Sequence, residues 1–152
     1  MDSGWGKPVE INPRNFDGKY SLSKAEAIVA AAGPIMNFIL AFLFLIIYGI
    51  YGLTVTTITT TTRVISSIIV SIISVNLGLG VFNLIPVYPL DGAKVLNHFL
   101  PYKAREWMMR NQSILTIIVF FIVFYTDIIT YISGAVLTGM LRIVSWIFGL
   151  FI

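Results

Sequence analysis

The segment Asn83-Leu84-Ile85-Pro86-Val87-Tyr88-Pro89-Leu90-Asp91-Gly92 sets a carboxylate, a carboxamide, two prolines and a glycine at the end of a strongly apolar run. An aspartate at the centre of a membrane helix costs roughly 2.5–3.5 kcal/mol on insertion scales. A proline inside a helix costs about 3 kcal/mol relative to alanine. Such residues persist in a membrane where the backbone lines a protein-enclosed cavity. Asp91 is therefore the first candidate functional residue. A carboxylate at a broken helix, beside unpaired carbonyls, suits a metal ion, a proton or a peptide backbone. The spacing alone fits an ordinary helix end at the membrane surface equally well, because Asp-Gly is a common turn and proline stops a helix.

Two other motifs accompany it. Gly33-Pro34-Ile35-Met36-Asn37 lies inside the first apolar run. A Gly-Pro pair is expected to kink the helix and Asn37 to be a buried amide. Taken alone, this motif is better explained by close helix packing through Ala30, Ala31, Ala32 and Gly33. Upstream stands Gly4-Trp5-Gly6-Lys7-Pro8-Val9-Glu10-Ile11-Asn12-Pro13-Arg14-Asn15-Phe16. By itself it reads as an interfacial anchor, with Trp5 in the aromatic belt and Lys7 at the headgroups.

The elements that must position these residues are membrane helices. The 152 residues are 57% hydrophobic and only 11% charged, with a mean hydropathy of +0.90. A soluble domain carries roughly 25% charged residues. There is no cysteine, which excludes disulfides, thiolate zinc sites and iron–sulfur clusters. His98 is the only histidine. The expected fold is all-α: a polytopic bundle of three to four transmembrane segments with a short extended N-terminal arm. The arm and loop cover 1–24, where no apolar signal-peptide core stands, and the membrane core covers 25–152. Spans are expected at about 25–53, 64–85, 113–126 and 134–152, the last two forming a hairpin that turns near 126–134. Ser23 and Glu26 resemble a capping box at the first helix. The threonine-rich stretch 54–62 is expected to be an extended loop or ribbon. Ser66, Ser67, Ser71 and Ser74 on the second span are expected to face other helices.

Residues 1–24 hold four Lys and Arg, 94–112 hold four, and 54–63 hold one. The positive-inside rule places the N-terminus and the basic connector 94–112 in the cytoplasm. These charges sit in loops and are topology signals, so the partners expected are lipid and membrane proteins, not nucleic acid.

In this order, the three motifs resemble the site-2 protease family of intramembrane zinc metalloproteases, in its compact bacterial and archaeal branch. The resemblance runs over essentially the whole chain, most weakly after about residue 112. It implies an integral protein of a bacterial or archaeal cell membrane that hydrolyses peptide bonds of transmembrane substrates near the cytoplasmic face. It implies zinc as cofactor, with Asp91 as the third ligand. Asn83 would hydrogen-bond the substrate peptide or the developing oxyanion, and Pro86 would break the helix so that Asp91 turns inward. Asn37, with Gly33 and Pro34, would support the site from the neighbouring helix. The arm, including Lys7, Pro8, Asn12 and Pro13, would lie beside the cleft and help present an extended substrate.

The family takes its other two ligands and its general base from His-Glu-x-x-His on an earlier helix, and this sequence has no such motif. The expectation is an N-terminal truncation, with the histidine-bearing helix missing and the chain alone inactive and unable to hold zinc tightly. His98 does not substitute. It lies seven residues from Asp91, roughly 10.5 Å along a helix axis, whereas zinc–ligand bonds are about 2.0–2.2 Å. Two further hypotheses stand beside the protease core. One is a non-catalytic homologue that binds transmembrane peptides or a partner protein. The other is a small transporter using Asp91 and Asp127, which lacks the paired interrupted segments of repeat-built transporters.

Overall fold

The structure, a computed structural model, describes residues 21–149. The expected N-terminal arm lies, up to residue 20, outside the described residues. Among the described residues the chain is all-helical: α1 Leu22–Thr54, α2 Thr60–Asn83, α3 Asp91–Phe99, α4 Tyr102–Arg110, α5 Gln112–Tyr125 and α6 Ile128–Gly149. Helices α1, α2 and α6 are each long and apolar enough to cross a membrane. Helix α5 has 14 residues, about 21 Å at 1.5 Å per residue, short of the ~30 Å hydrocarbon core. It can form a fourth span only together with α4, to which it is bent by 74°. The described residues thus form an integral membrane bundle of three or four spans.

Helix α1 is 33 residues long and runs on through Pro34, whose ring nitrogen cannot donate to the Ala30 carbonyl. Its buried stripe is Ala27, Ala30, Pro34, Ala41 and Leu45, spaced by three, four, seven and four residues, one face of a helix. Ala41 and Leu45 meet Ile69, Ile73 and Leu77 of α2 and Val144 of α6 in the hydrophobic core. Phe38 lies so close to Gly80 that a Cβ there would stand 2.7 Å from its ring. At the other end of this hairpin Tyr51 donates its hydroxyl to the Thr62 carbonyl at 3.3 Å.

Three sequence expectations are corrected. Ser23 is not the cap of α1. Ser21 occupies that position without a side-chain bond, and Ser23 lies inside the helix. Its hydroxyl stands 3.4 Å from His98 Nδ1, so the long-range contact takes the group that a cap would have used. The threonine stretch is only partly a loop. Thr59 caps α2 in a reciprocal box with Thr62, and Thr60–Thr62 are its first turn, because hydroxyls that satisfy free N–H groups favour a helix start over a ribbon. The serines divide: Ser66 and Ser67 line a cleft against Tyr48 and Tyr51 of α1, while Ser71 and Ser74 are exposed. Ile69, Ile73 and Leu77 take the inward face of α2. The connector after Asp91 also folds further than expected, into α3 and α4.

Gly80→Leu should push Phe38 off α2 and destabilise the bundle by about 1–3 kcal/mol, the usual cost of overpacking. Gly78→Ala, whose new methyl meets nothing within 4 Å, should be neutral or stabilising by up to about 1 kcal/mol. Thermal unfolding of both variants in detergent micelles checks the contrast.

Candidate functional site

Helix α2 ends at Asn83 and α3 begins at Asp91. Between them the chain reverses in a short sequence of turns. Val87 N–H donates to the Ile85 carbonyl at 2.8 Å, closing a three-residue turn centred on Pro86, and Leu90 N–H donates to Val87 at 2.9 Å. The Tyr88–Pro89 bond is cis. Two side chains fasten the turn from outside. Thr116 of α5 donates to the Tyr88 carbonyl at 2.6 Å, and Asn97 of α3 donates to the Tyr88 hydroxyl.

The reversal returns α3 onto the end of α2. Gly92 is buried and packs so tightly that a Cβ there would overlap the backbone of Leu84 and the carbonyl oxygen of Ile85. Ala93 beside it is fully buried. The missing side chain at Gly92 lets the start of α3 lie against the backbone that leaves α2. A Cβ placed on Gly33 would lie 3.6 Å from the Asp91 Oδ2 oxygen. The structure therefore brings the Gly33-Pro34 motif of α1 and the Asp91-Gly92 motif of α3 together. Pro34 is fully buried, Asn37 and Asn83 are half-buried, and Pro86 is exposed on the turn. Lys7, Pro8, Asn12 and Pro13 lie outside the described residues.

Asp91 is the first residue of α3, where the N-terminal end of the helix dipole attracts negative charge. Its Oδ1 faces the Lys94 ammonium at 3.6 Å, with about a third of the Asp91 side chain exposed. An acid and a base three residues apart are neighbours on a helix, so Lys94 is the natural partner of Asp91. His98 lies on the same face of α3 as Asp91, two turns on, and reaches Ser23 instead. The two contacts, Asp91 against Gly33 and His98 against Ser23, lay α3 antiparallel along the first half of α1, over the stripe that holds Ala27 and Ala30.

Among the described residues no three His, Cys, Asp or Glu side chains come together as a metal-ligand group. A catalytic zinc takes three protein ligands. Asp91 supplies one and His98 is turned to α1, so the described residues do not fit a zinc centre by themselves. What they offer is one reachable carboxylate at a helix break, able to hold a cation or accept a hydrogen bond.

The family model of "Peptidase family M50" matches residues 53–126, from the end of α1 through α5, and so includes the whole Asn83–Gly92 segment. The chain is also 32% identical over 150 residues to a Bacillus subtilis (strain 168) protein named "Putative zinc metalloprotease YwhC". The alignment covers 95% of this chain and 67% of that relative. No solved structure matches the chain.

Gly92→Ala should destabilise the α2–α3 turn by about 3 kcal/mol, since backbone carbonyls cannot move aside for a methyl as a side chain can. Gly33→Ala makes only an ordinary contact with Asp91 and should change stability by less than about 1 kcal/mol. Melting curves in detergent decide: an unchanged midpoint for Gly92→Ala would mean that α3 starts somewhere other than against Leu84.

Proposed function

The chain belongs to peptidase family M50, and on that premise we propose that it is the carboxylate-bearing core of an intramembrane zinc metalloprotease that cuts transmembrane substrates near the cytoplasmic face. The observation that carries this reading is the backbone reversal at Leu84–Leu90, which lays Asp91 against Gly33 within the apolar part of α1. Gly33 is ten residues beyond Ser23, about 15 Å along the helix, so Asp91 sits well along α1 from its start, with about a third of its side chain exposed. Asp91 contributes one ligand. The family's two histidines and its glutamate are supplied by a helix outside these 152 residues, in the same polypeptide or a second one.

The part of this chain is to hold and orient the peptide. A helical substrate keeps its scissile carbonyl in its own hydrogen bonds and must be unwound before it can be cut. Asn83, at the last turn of α2, donates a carboxamide N–H to the unwound peptide or to the oxyanion formed from it. An apolar groove of about 510 Å³ lies beside the turn, lined by Phe38, Leu84, Ile85, Pro86, Ile122 and Ile132 among others. It receives an apolar side chain of the substrate. Asn37 supports the site from α1, and Lys7, Pro8, Asn12 and Pro13 present the extended peptide beside it.

One observation favours a second reading. The Asp91 carboxylate is engaged by Lys94, and the described residues bring no further metal ligand to it. A non-catalytic homologue that binds transmembrane peptides or a partner protein would look the same.

The two readings separate by experiment. The chain alone should cleave nothing and retain no zinc through dialysis against a mild chelator. Joined to a helix bearing His-Glu-x-x-His, it should cleave a membrane-spanning substrate. In that protein Asp91→Asn should abolish turnover, and Asn83→Ala should lower it by about 10²–10³-fold, the usual loss of one oxyanion donor. Cleavage that survives Asp91→Asn would sink the protease-core reading, and a well-folded joined protein that binds peptide without cutting it would favour the second.

The orientation follows from loop charge: residues 1–24 and 94–112 face the cytoplasm, and 54–63 face outward. Cysteines introduced at Thr59 and Lys103 should label from opposite sides of the membrane; labelling from one side overturns this topology.

A further inference from the structure

We propose that α4 lies in the plane of the membrane as an anchor for anionic lipid headgroups. Three observations converge on it. The first is direction. Helix α4 meets α5 at a bend of 74°, with only Asn111 between them. With the strongly apolar α5 set steeply in the bilayer as a short, non-crossing segment, the 74° bend lays α4 nearly parallel to the membrane surface.

The second is the outward face. Met108 is the buried residue of α4, and Ala104 and Arg105 lie on the same side, half-buried. The opposite arc holds Tyr102, Lys103, Glu106, Trp107 and Arg110. Tyr102 is 75% exposed and Trp107 60%, and Phe99, at the end of α3, is 75% exposed. Three large aromatic side chains facing bulk water would forfeit much of their burial energy. Aromatic rings beside cations are instead the signature of the interface between headgroups and acyl chains.

The third is charge. Helix α4 carries three cations, Lys103, Arg105 and Arg110, against one carboxylate, Glu106. Glu106 is taken up by Arg110 at 2.8 Å, and Arg105 turns back to the Leu100 carbonyl at 3.2 Å. Lys103 is exposed and makes no ion pair among the described residues. The net positive face suits lipid phosphates. A basic side chain at an anionic membrane surface contributes about a fivefold preference.

The test uses the full chain reconstituted in vesicles of phosphatidylcholine alone or mixed with phosphatidylglycerol. Trp5→Phe and Trp146→Phe leave Trp107 as the only tryptophan. Lipids brominated near the headgroup end of their acyl chains should quench Trp107 more than lipids brominated near the methyl end, and aqueous iodide should quench it weakly. Energy transfer from Trp107 should favour a labelled anionic lipid over a labelled zwitterionic one. Lys103→Gln should lower that preference on the order of fivefold. In the Lys103-containing protein, raising salt to about 1 M should erase it, since the screening length then falls to about 3 Å. Free quenching of Trp107 by iodide in both kinds of vesicle would overturn the proposal and mark α4 as a water-facing surface for a soluble protein. Shallow quenching with no preference for anionic lipid would overturn it too, leaving an aromatic anchor without headgroup recognition.

Discussion

Hydrocarbon offers no partner to an unpaired backbone group, so a helix broken inside a membrane must find shelter within the protein. The break between Asn83 and Asp91 is the point where this constraint shapes the structure. Its N–H and carbonyl groups are served locally by the turns through Val87 and Leu90, and from outside by Thr116 on α5. The seat of Gly92 on Leu84 closes the remaining space. Two of these devices need particular chemistry: a hydroxyl on α5 facing Tyr88, and a residue without a side chain where α3 meets the backbone of α2. The polar motif and its apolar neighbourhood are therefore one solution, in which the cost of breaking the helix is offset by elements on three sides.

Much of this was legible in the sequence because the costs are local. A proline, an aspartate and a glycine within an apolar run are expensive wherever they stand, so their presence marks a site before any fold is known. The family resemblance rested on the order of three motifs, and the comparisons place the chain in the same family. The helical membrane architecture was equally plain from hydropathy. What the sequence hid was direction. Serines at helical spacing on α2 look like an interhelical seam, yet the isoleucine and leucine stripe took the inward face, and of the four serines Ser66 and Ser67 alone border the cleft against α1. Ser23 sits three residues before a glutamate, yet its hydroxyl was claimed by His98, which is 75 residues away in the chain. Lys94 beside Asp91 was readable from a spacing of three, but only once Asp91 was known to open a helix.

The same geometry separates Asp91 from His98. Asp91 and His98 share a face of α3, a pattern that in a single helix can look like a ligand pair. The packing separates their tasks, because α3 lies antiparallel on α1 and each residue meets α1 at its own level, Gly33 for one and Ser23 for the other. The carboxylate stays reachable, with Lys94 as its neighbouring cation, while the imidazole is spent on the interface. A metal ion held by Asp91 would draw its nitrogen ligands from outside the described residues, and Lys94 would yield its place to it.

Helix α3 has nine residues, below the roughly 12–15 at which an isolated helix becomes even marginally stable in water. Its existence depends on what it packs against. Its buried residues are Gly92 and Ala93, which contribute little area but allow close approach, and close approach is the main source of helix association in a membrane. The position of Asp91 is thus a property of the α1–α3 contact and not of its own turn. Helix α4 continues the same logic outward. It leaves α3 at Pro101 and meets α5 through Asn111, so whatever holds α4 at the membrane surface also fixes one end of α3. The position of the carboxylate is then set from two sides, by the close approach of α3 to its neighbours within the bundle and, on the proposed anchoring, by aromatic and basic residues of α4.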